Sequence, residues 1–474
     1  MSIDKYSRRP KAELTPQKGR YELYNLSENP FPSSPFVNPN SNDARNNGEI
    51  YEPSIREQEY QAIEENFLKV PQSDPNHLRL GYMMDTSYIG RGNGKTAFLT
   101  NLQKRINQDF GLSISNEMNK CFAIIVAPEP GGKTKTFESF VDLFISRIFE
   151  SNVIEDSLIS LRLDAIIDLY EEFDPDKHFS DEDDLKGKLQ SLKWYADNHI
   201  DFSKISQQIL SNSYLQDLPL DFPIFSSTPL FFQLVNQNDF KEYFKNLKRG
   251  KPKIEFTFSH LVNLFLAAGF NGAYIFVDDF ERIPDFQSER QKRDFALELR
   301  TCLFDGLYTN ARTGFYNLIL ILHAGVPRLI QFAWEQSGLE HRSPISFKKI
   351  PKNVILFEKI QLEDTFSLVQ KYLQAYRIRE VAADTFSPFT KDAVTKIAEL
   401  NEFNASRILK MAYEVLERAI EQSSSEIDVD FILSTDEANQ LTEQRQVSGI
   451  SEANTKDLMK ESYEKKHGHG STLP

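Results

Sequence analysis

The run Gly90-Arg91-Gly92-Asn93-Gly94-Lys95-Thr96 constrains this chain more than any other segment. Ahead of it, residues His77–Met84 read as a strand. Behind it, Phe98, Leu99, Leu102 and Ile106 recur at three- and four-residue spacings and predict an amphipathic helix. Closely spaced glycines let successive backbone N–H groups turn inward on an anion. A lysine then meets the terminal phosphate oxygens, a hydroxyl helps hold Mg²⁺, and a helix N-terminus stands directly behind. Gly90, Gly92, Asn93, Gly94, Lys95 and Thr96 are therefore the candidate phosphate-binding residues, with Thr96 also on the metal side. The pattern G-x-x-x-x-G-K-[ST] asks for glycine where this chain has Ile89, and Gly90 comes one place later. A glycine-rich turn that merely precedes a helix is the alternative.

A second glycine-lysine pair, Gly131-Gly132-Lys133-Thr134, also follows a strand-like run, CFAIIVAPEP, and precedes a predicted helix over Phe137–Glu150. It lacks a glycine three residues before its lysine, and Pro128 and Pro130 stiffen the turn. Lys95 is the preferred phosphate lysine, with the second turn a candidate for lining the same cleft.

The segment AYIFVDDFERI places four apolar residues before Asp278-Asp279. A buried strand of this kind delivers carboxylates to the end of a sheet. One acid there can hold the water shell of Mg²⁺ while the next polarises an attacking water. Asp278 is the candidate metal-side residue, Asp279 the candidate for orienting water, and Glu281 the reserve.

A glycine loop, an apolar strand ending in two acids, a strand ending in a polar residue and a closing helical region, in this order, resemble the P-loop NTPases of the AAA+ and STAND group. The resemblance spans about residues 75–420, apart from a long helical stretch before Asp278. The doubled aspartate in GFNGAYIFVDDFERI looks closer to STAND-like and other prokaryotic ATPases than to the commoner Asp-Glu form. The resemblance implies ATP as ligand and three further roles. His323, ending NLILILH, stands at the place of the polar residue facing the γ-phosphate. Arg342, in GLEHRSPISF, stands where a neighbouring subunit's nucleotide receives an arginine. Arg407, in NEFNASRILKMA, stands where a lid arginine reaches the phosphates. A partly buried histidine with a satisfied ring and two surface arginines are the bland readings of the same residues. An arginine supplied in trans makes hydrolysis depend on assembly, so the resemblance also implies a homo-oligomer.

The remaining chain is consistent with this frame. Strand-like runs separated by helical stretches predict an α/β fold, a three-layer parallel-sheet core with a long helical insertion and a C-terminal helical lid. The expected segments are a proline-rich N-terminal arm over 1–50, the first part of the core over 51–150, a mainly helical insertion over 151–260, the second part of the core over 261–360, a helical lid over 361–422 and a flexible tail over 423–474. A charged helix is expected from Tyr51 to about Val70. Thr390 should cap a helix reaching Leu400, and another carries Ile408, Met411, Val415, Leu416 and Ala419 on one stripe. The acidic run EEFDPDKHFSDEDD reads as a solvated loop or a docking surface for a basic partner. It lacks the central glycine of a calcium loop.

Composition narrows the function classes. The 55 basic and 69 acidic residues leave a net charge of −14, so any DNA contact must come from a local patch. The arm carries a modest basic cluster (Lys5, Arg8, Arg9, Lys11, Lys18, Arg20); it reads first as a loop packed over the body or a mobile terminus, and second as an arm reaching a neighbouring subunit or a nucleic acid. Two cysteines, Cys121 and Cys302, support neither a disulfide framework nor a four-ligand metal site, and His467 with His469 is only a pair. The N-terminus lacks the apolar stretch of a secretory signal and no apolar run nears the ~20 residues of a membrane span, so a cytoplasmic protein without membrane contact is expected. The sequence expectation is an ATP·Mg²⁺-binding, ATP-hydrolysing switch acting through oligomer or protein-partner contacts, as in prokaryotic antiphage systems. A DNA-associated ATPase of the origin-binding or transposition type, and a nucleotide-binding scaffold without turnover, are its rivals.

Overall fold

Five apolar runs become the strands β1 (Leu80–Asp85), β2 (Cys121–Val126), β3 (Gly272–Val277), β4 (Tyr316–Leu322) and β5 (Val354–Phe357) of one all-parallel sheet, in the order β2-β3-β4-β1-β5. The computed structural model describes residues 19–35, 37–38, 41–86, 92–115, 119–225, 234–323, 325–346, 348–382 and 385–435. The register sets Tyr82 beside Leu320 and Ile275 beside Leu318. Every residue of β1, β3 and β4 is buried, as a parallel sheet covered on both faces requires, and this is why these strands read as apolar runs, interrupted by Asn317 in β4 and closed by Asp85 in β1. β1 starts later than the run from His77 suggested. The Leu318 amide already donates to the Arg79 carbonyl at 3.0 Å, while the His77 ring meets the Gly314 carbonyl at 3.1 Å and the Arg79 guanidinium donates to the carbonyls of Leu303 and Ala311.

The chain divides into two compact units. Among the described residues, one takes those up to Gln58, those within Thr86–Asn101 and those from Phe357 to Thr435; the other takes those within Glu59–Asp85 and Leu102–Leu356. These units cut across the expected segments, since the glycine loop groups with the described part of the arm and with the C-terminal helices.

In the sheet-bearing unit, helix α1 (Glu57–Ile63, begun in the other unit) continues as a wider turn over Glu64–Leu68 that buries Ile63 and Phe67. After helix α2 (Lys95–Gln108) and β2, helix α3 (Phe137–Glu150) is opened by a capping box on Thr136 and buries Phe137, Phe140, Val141, Phe144, Ile145 and Ile148 at helical spacing. Helix α4 (Val153–Leu169) is apolar on two sides. Val153, Ile154, Leu158 and Leu161 enter the main core, whereas Ile159, Ala165 and Ile166 pack with Leu189, Tyr195 and Ile205 in a satellite core. The acidic run is partly used as caps: Asp174 and Asp181 accept amides at the starts of helices Pro175–His178 and Glu182–Leu189. Helix α5 (Leu261–Ala267) leads into β3, and α6 (Glu289–Leu303), α7 (Val326–Ser337) and the short α8 (Leu339–Arg342) complete this unit's main helices.

The other unit is built on α9 (Leu362–Ala375), α10 (Lys391–Leu400) and α11 (Ala405–Glu421). Thr390 caps α10 by accepting the Ala393 amide at 3.1 Å, and the expected stripe of α11 is buried from Ile408 to Ala419. Tyr24, Leu26 and Phe31 of the arm lie in the same core, with Phe31 stacked on Tyr372 at 6.2 Å. Prolines keep this stretch from forming a long helix, and its large side chains seat it on the bundle. Among the described residues, no helix is long and apolar enough to cross a membrane.

Candidate functional site

The glycine loop is described from Gly92 on; Gly90, Arg91 and the displaced start at Ile89 lie outside the described residues. Gly92 and Gly94 have φ of +99° and +84°, the left-handed region that favours glycine, and between them Asn93 is buried. The Phe98 amide already donates to the Gly94 carbonyl at 2.9 Å, so Lys95 and Thr96 stand in the first turn of α2, where backbone N–H groups have no intrahelical acceptor. Lys95 is buried and Thr96 half-buried.

Within the same unit the loop is held from two directions. The Ser406 amide donates to the Gly92 carbonyl at 2.9 Å, and a side chain at Gly92 would meet Ser406 Cβ at 2.6 Å and Asn404 Oδ1 at 2.7 Å. Asn404 caps α11 by accepting the Arg407 amide at 3.1 Å, which sets Arg407 in the opening turn of α11. The Arg407 side chain is 45% exposed, with its guanidinium 4.0 Å from the Glu402 carboxylate. From the other direction, Arg56 donates to the carbonyls of Asn93 at 2.9 Å and Glu358 at 2.8 Å while its guanidinium lies 4.1 Å over the Phe357 ring. Only 5% of Arg56 is exposed. Sequence reasoning missed Arg56 because one arginine among the charges of residues 51–70 carries no mark of burial.

In the sheet-bearing unit, the second group gathers at the carboxyl ends of three adjacent strands. The Asp278 amide donates to the Val126 carbonyl at 2.9 Å, extending the β2–β3 ladder by one residue. Asp279 then takes a left-handed conformation, φ 50°, and its amide donates to Asp278 Oδ1 at 3.0 Å. This tight turn sends Phe280 into the core and Glu281 into a buried position beneath the strand ends. Asp279 Oδ2 pairs with Arg282, which also donates to the Pro128 carbonyl at 3.0 Å.

His323 follows β4 directly and joins the group. Its Nδ1 lies 2.8 Å from Asp85 Oδ2; its Nε2 lies 3.0 Å from Glu281 Oε1 and 3.7 Å from Asp279 Oδ1. Asp85 ends β1 with 0% exposure. Sequence reasoning did not single it out, although an acid closing the strand ahead of the glycine loop was a visible signal. Asp279, Glu281 and His323 bring one donor atom each to within 4.8 Å of one another, a spacing at which they could hold a metal ion. Asp278 is buried at 7% exposure and offers carboxylate oxygen, as Thr96 offers hydroxyl oxygen; both are donors of the kind a hard cation such as Mg²⁺ prefers.

Two further candidates remain, Lys133 and Arg342. Lys133 has a side chain 75% exposed and ion-pairs with Glu129 at 2.7 Å, which raises its pKa above the usual lysine value. Arg342 is exposed at the end of α8. It bears on Arg79, and its neighbour Ser343 donates to the Leu80 carbonyl at 2.7 Å. That places Arg342 at the amino end of β1, the opposite end of the sheet from Asp278, Asp279 and His323. Burial, and then the Arg342 charge, lower the pKa of Arg79.

No protein-family model matches the chain. No curated protein matches it in sequence either. Among solved structures, it is similar to the ORC2 protein of Aeropyrum pernix, solved in ADPNP and ADP complexes, with a TM-score of 0.40 and 8% identity over 84% of this chain and 69% of that one.

Proposed function

We propose that the chain is an ATP-binding, ATP-hydrolysing switch of the AAA+ type. The observation that carries the reading is the strand order: β4, followed directly by His323, lies between β1, which precedes the glycine loop, and β3, which is followed directly by Asp278-Asp279. At about 4.8 Å per strand, the ends of β1 and β3 stand roughly 10 Å apart, a span suited to a polyphosphate and its cation. In this reading Gly90, Gly92, Asn93 and Gly94 turn backbone N–H groups on the phosphates and Lys95 meets the terminal oxygens. Thr96 and Asp278 hold Mg²⁺, which when bound neutralises charge on the phosphate oxygens. Asp279 orients the attacking water, His323 faces the γ-phosphate side, Arg407 acts from the opening turn of α11, and Arg342 acts on a neighbouring copy.

Turnover would change the contact between the glycine loop and α11 and pass that change to oligomer or protein partners. The net charge of −14 favours a signalling switch, of the kind found in prokaryotic antiphage systems, over a DNA motor. A second reading, a DNA-associated ATPase, is favoured by the exposed basic residues Arg342, Lys348, Lys349 and Lys352. Salt-dependent binding of duplex DNA, weakened when those four are replaced by Ala, would select it.

The test is nucleotide binding and phosphate release measured together. Lys95→Ala should abolish tight ATP binding. Asp279→Ala should keep binding and lose at least about 100-fold in turnover. Phosphate release that survives Lys95→Ala overturns the site, and bound nucleotide without release by the unaltered chain supports the scaffold instead.

A further inference from the structure

Two surfaces of the sheet-bearing unit carry opposite charge and lie at opposite edges of its sheet. The first is the end of α4. Asp164, Ile167 and Asp168 follow at three- and four-residue spacings on one exposed side of the helix, and Leu169, Glu171 and Glu172 are exposed just beyond. A helix presents partial negative charge at its carboxyl end, so acids there are unfavourable, and the last turn of α4 holds no basic residue to offset them. Among the described residues, neither Glu171 nor Glu172 forms an ion pair, and Asp168 is met by the neutral amide of Gln208 at 3.3 Å. Lys120, the residue before β2, donates to Ser160 on α4 at 3.1 Å; burial raises the pKa of Asp164 and the Lys120 charge opposes it. The acidic surface therefore stands beside β2, an edge strand.

The second surface directly precedes β5, the opposite edge strand. Lys348, Lys349 and Lys352 are exposed around an exposed Ile350, and residues 341–352 include no acid. The loop is held on both sides. The Glu340 carboxylate accepts the amides of Ile345 at 3.0 Å and Ser346 at 3.2 Å, and the Asn353 amide group donates to Ser343 Oγ at 2.9 Å and the Pro344 carbonyl at 3.0 Å. A loop fixed in this way loses little freedom on binding. At about 4.8 Å per strand the two edges stand roughly 19 Å apart, so neither surface neutralises the other within one chain. We propose that they meet between chains: the 348–352 loop of one copy docks on the acidic end of α4 of the next, head to tail, with Ile350 against Ile167 and Leu169 inside a rim of charges. A second copy is the occupant because this chain carries both halves of the match. A nucleic acid would satisfy the lysines and leave Ile350 and the acids of α4 unmatched.

The contact requires no nucleotide, so its failure is separable from that of the ATPase reading. The experiment is sedimentation velocity of the full chain, free of nucleotide, over a range of protein and salt concentrations. We expect association at about 50 mM NaCl that weakens at least about tenfold at about 500 mM, as the screening length falls from about 14 Å to about 4 Å. Lys348→Glu, Lys349→Glu and Lys352→Glu together should weaken it about 10–100-fold, and so should Asp168→Lys, Glu171→Lys and Glu172→Lys together. Mixed in equal amounts, the two triple variants should associate again, because each surface then faces one of opposite charge. Far-UV circular dichroism verifies that each variant is folded. Zero-length carbodiimide cross-linking of isotope-labelled with unlabelled unaltered chains needs no variant, and should join Lys348, Lys349 or Lys352 of one chain to the acids of α4 in another. A chain that stays monomeric in low salt, association indifferent to either reversal, no recovery on mixing, or cross-links confined to single chains overturns the contact. Duplex DNA bound through the three lysines by a monomeric chain also overturns it and gives the loop to nucleic acid.

Discussion

The backbone amide of Ser406 donates to the carbonyl of Gly92 at 2.9 Å, so the glycine loop and the first turn of α11 share a hydrogen bond. Asn404 Oδ1 and Ser406 Cβ fill the space where a Gly92 side chain would project, and nothing among the described residues stands within 4 Å of the same position on Gly94. The two glycines are therefore needed for different reasons. At Gly94 only the left-handed backbone matters; at Gly92 the close approach of α11 is added.

Alanine at each position should separate the two effects. Gly94→Ala should cost roughly 1–2 kcal/mol, the strain of the left-handed region alone. Gly92→Ala should cost about 2–5 kcal/mol, because crowding a packed contact adds a further 1–3 kcal/mol. Urea unfolding midpoints check the ranking, and nucleotide titration should show the larger loss of affinity for Gly92→Ala.

Arg56 ties the other side of the loop. Its guanidinium satisfies the Asn93 and Glu358 carbonyls at once and stacks on Phe357, a geometry that depends on the planar fork. Arg56→Lys should therefore behave almost as badly as Arg56→Ala, each losing about 2–4 kcal/mol of stability by leaving a buried carbonyl without its donor. Nucleotide affinity should drop about tenfold in both, measured by titration at a temperature where each variant is folded. A fully functional Arg56→Lys would show that charge alone is required.

The parts of this molecule that were legible in the sequence are those where one local signal decides the outcome. Phe137–Glu150 forms a helix over those residues because Thr136 and Ser139 cap it reciprocally and an apolar face recurs every three to four residues. The runs Tyr274–Val277 and Leu318–Leu322 become strands because their residues are apolar enough to be buried on both sides. Asp278, Asp279 and His323 were visible as polar residues closing such runs. What the sequence concealed depends on long-range pairing. Arg56 meets a residue 37 positions away and another 302 away, and Asp85 meets His323 across 238 positions. The acidic run reads in sequence as a solvated loop, yet two of its aspartates cap helices, because capping is decided by the following three residues rather than by charge density.

Arg342 offers a test of assembly. It is exposed at the amino end of β1, so a catalytic part for it requires a second copy. Arg342→Ala should leave nucleotide affinity within about twofold and stability within about 0.5 kcal/mol, as for an exposed side chain. Turnover should fall by about 10³-fold where an arginine in trans stabilises the phosphoryl group. Mixing Arg342→Ala chains with Lys95→Ala chains should restore part of the activity, because each type supplies what the other lacks. Phosphate release during a mixing series checks this, and an unchanged rate for Arg342→Ala alone assigns the residue to the surface.

Stability should decline on mild acidification, and His77 should be one cause. Burial is the largest influence on this ring and lowers its pKa; the Gly314 carbonyl opposes that effect and the charge on Arg79 adds to it. His260 is shifted in the same direction, again chiefly by burial. A folded-state pKa below the unfolded value of about 6.5 means that the unfolded chain takes up the proton first, so stability rises with pH in that interval. Going down from pH 7, it is lost progressively from about pH 6.5 until the folded ring also protonates. Each ring contributes at most about 1.4 kcal/mol per pH unit there. His77→Gln keeps a donor for the Gly314 carbonyl and removes the titrating group, so its unfolding midpoint should vary less between pH 7 and pH 5.5 while His260 retains its share. Urea unfolding of both chains across that range is the measurement, and parallel slopes for the two would exclude His77 as a contributor.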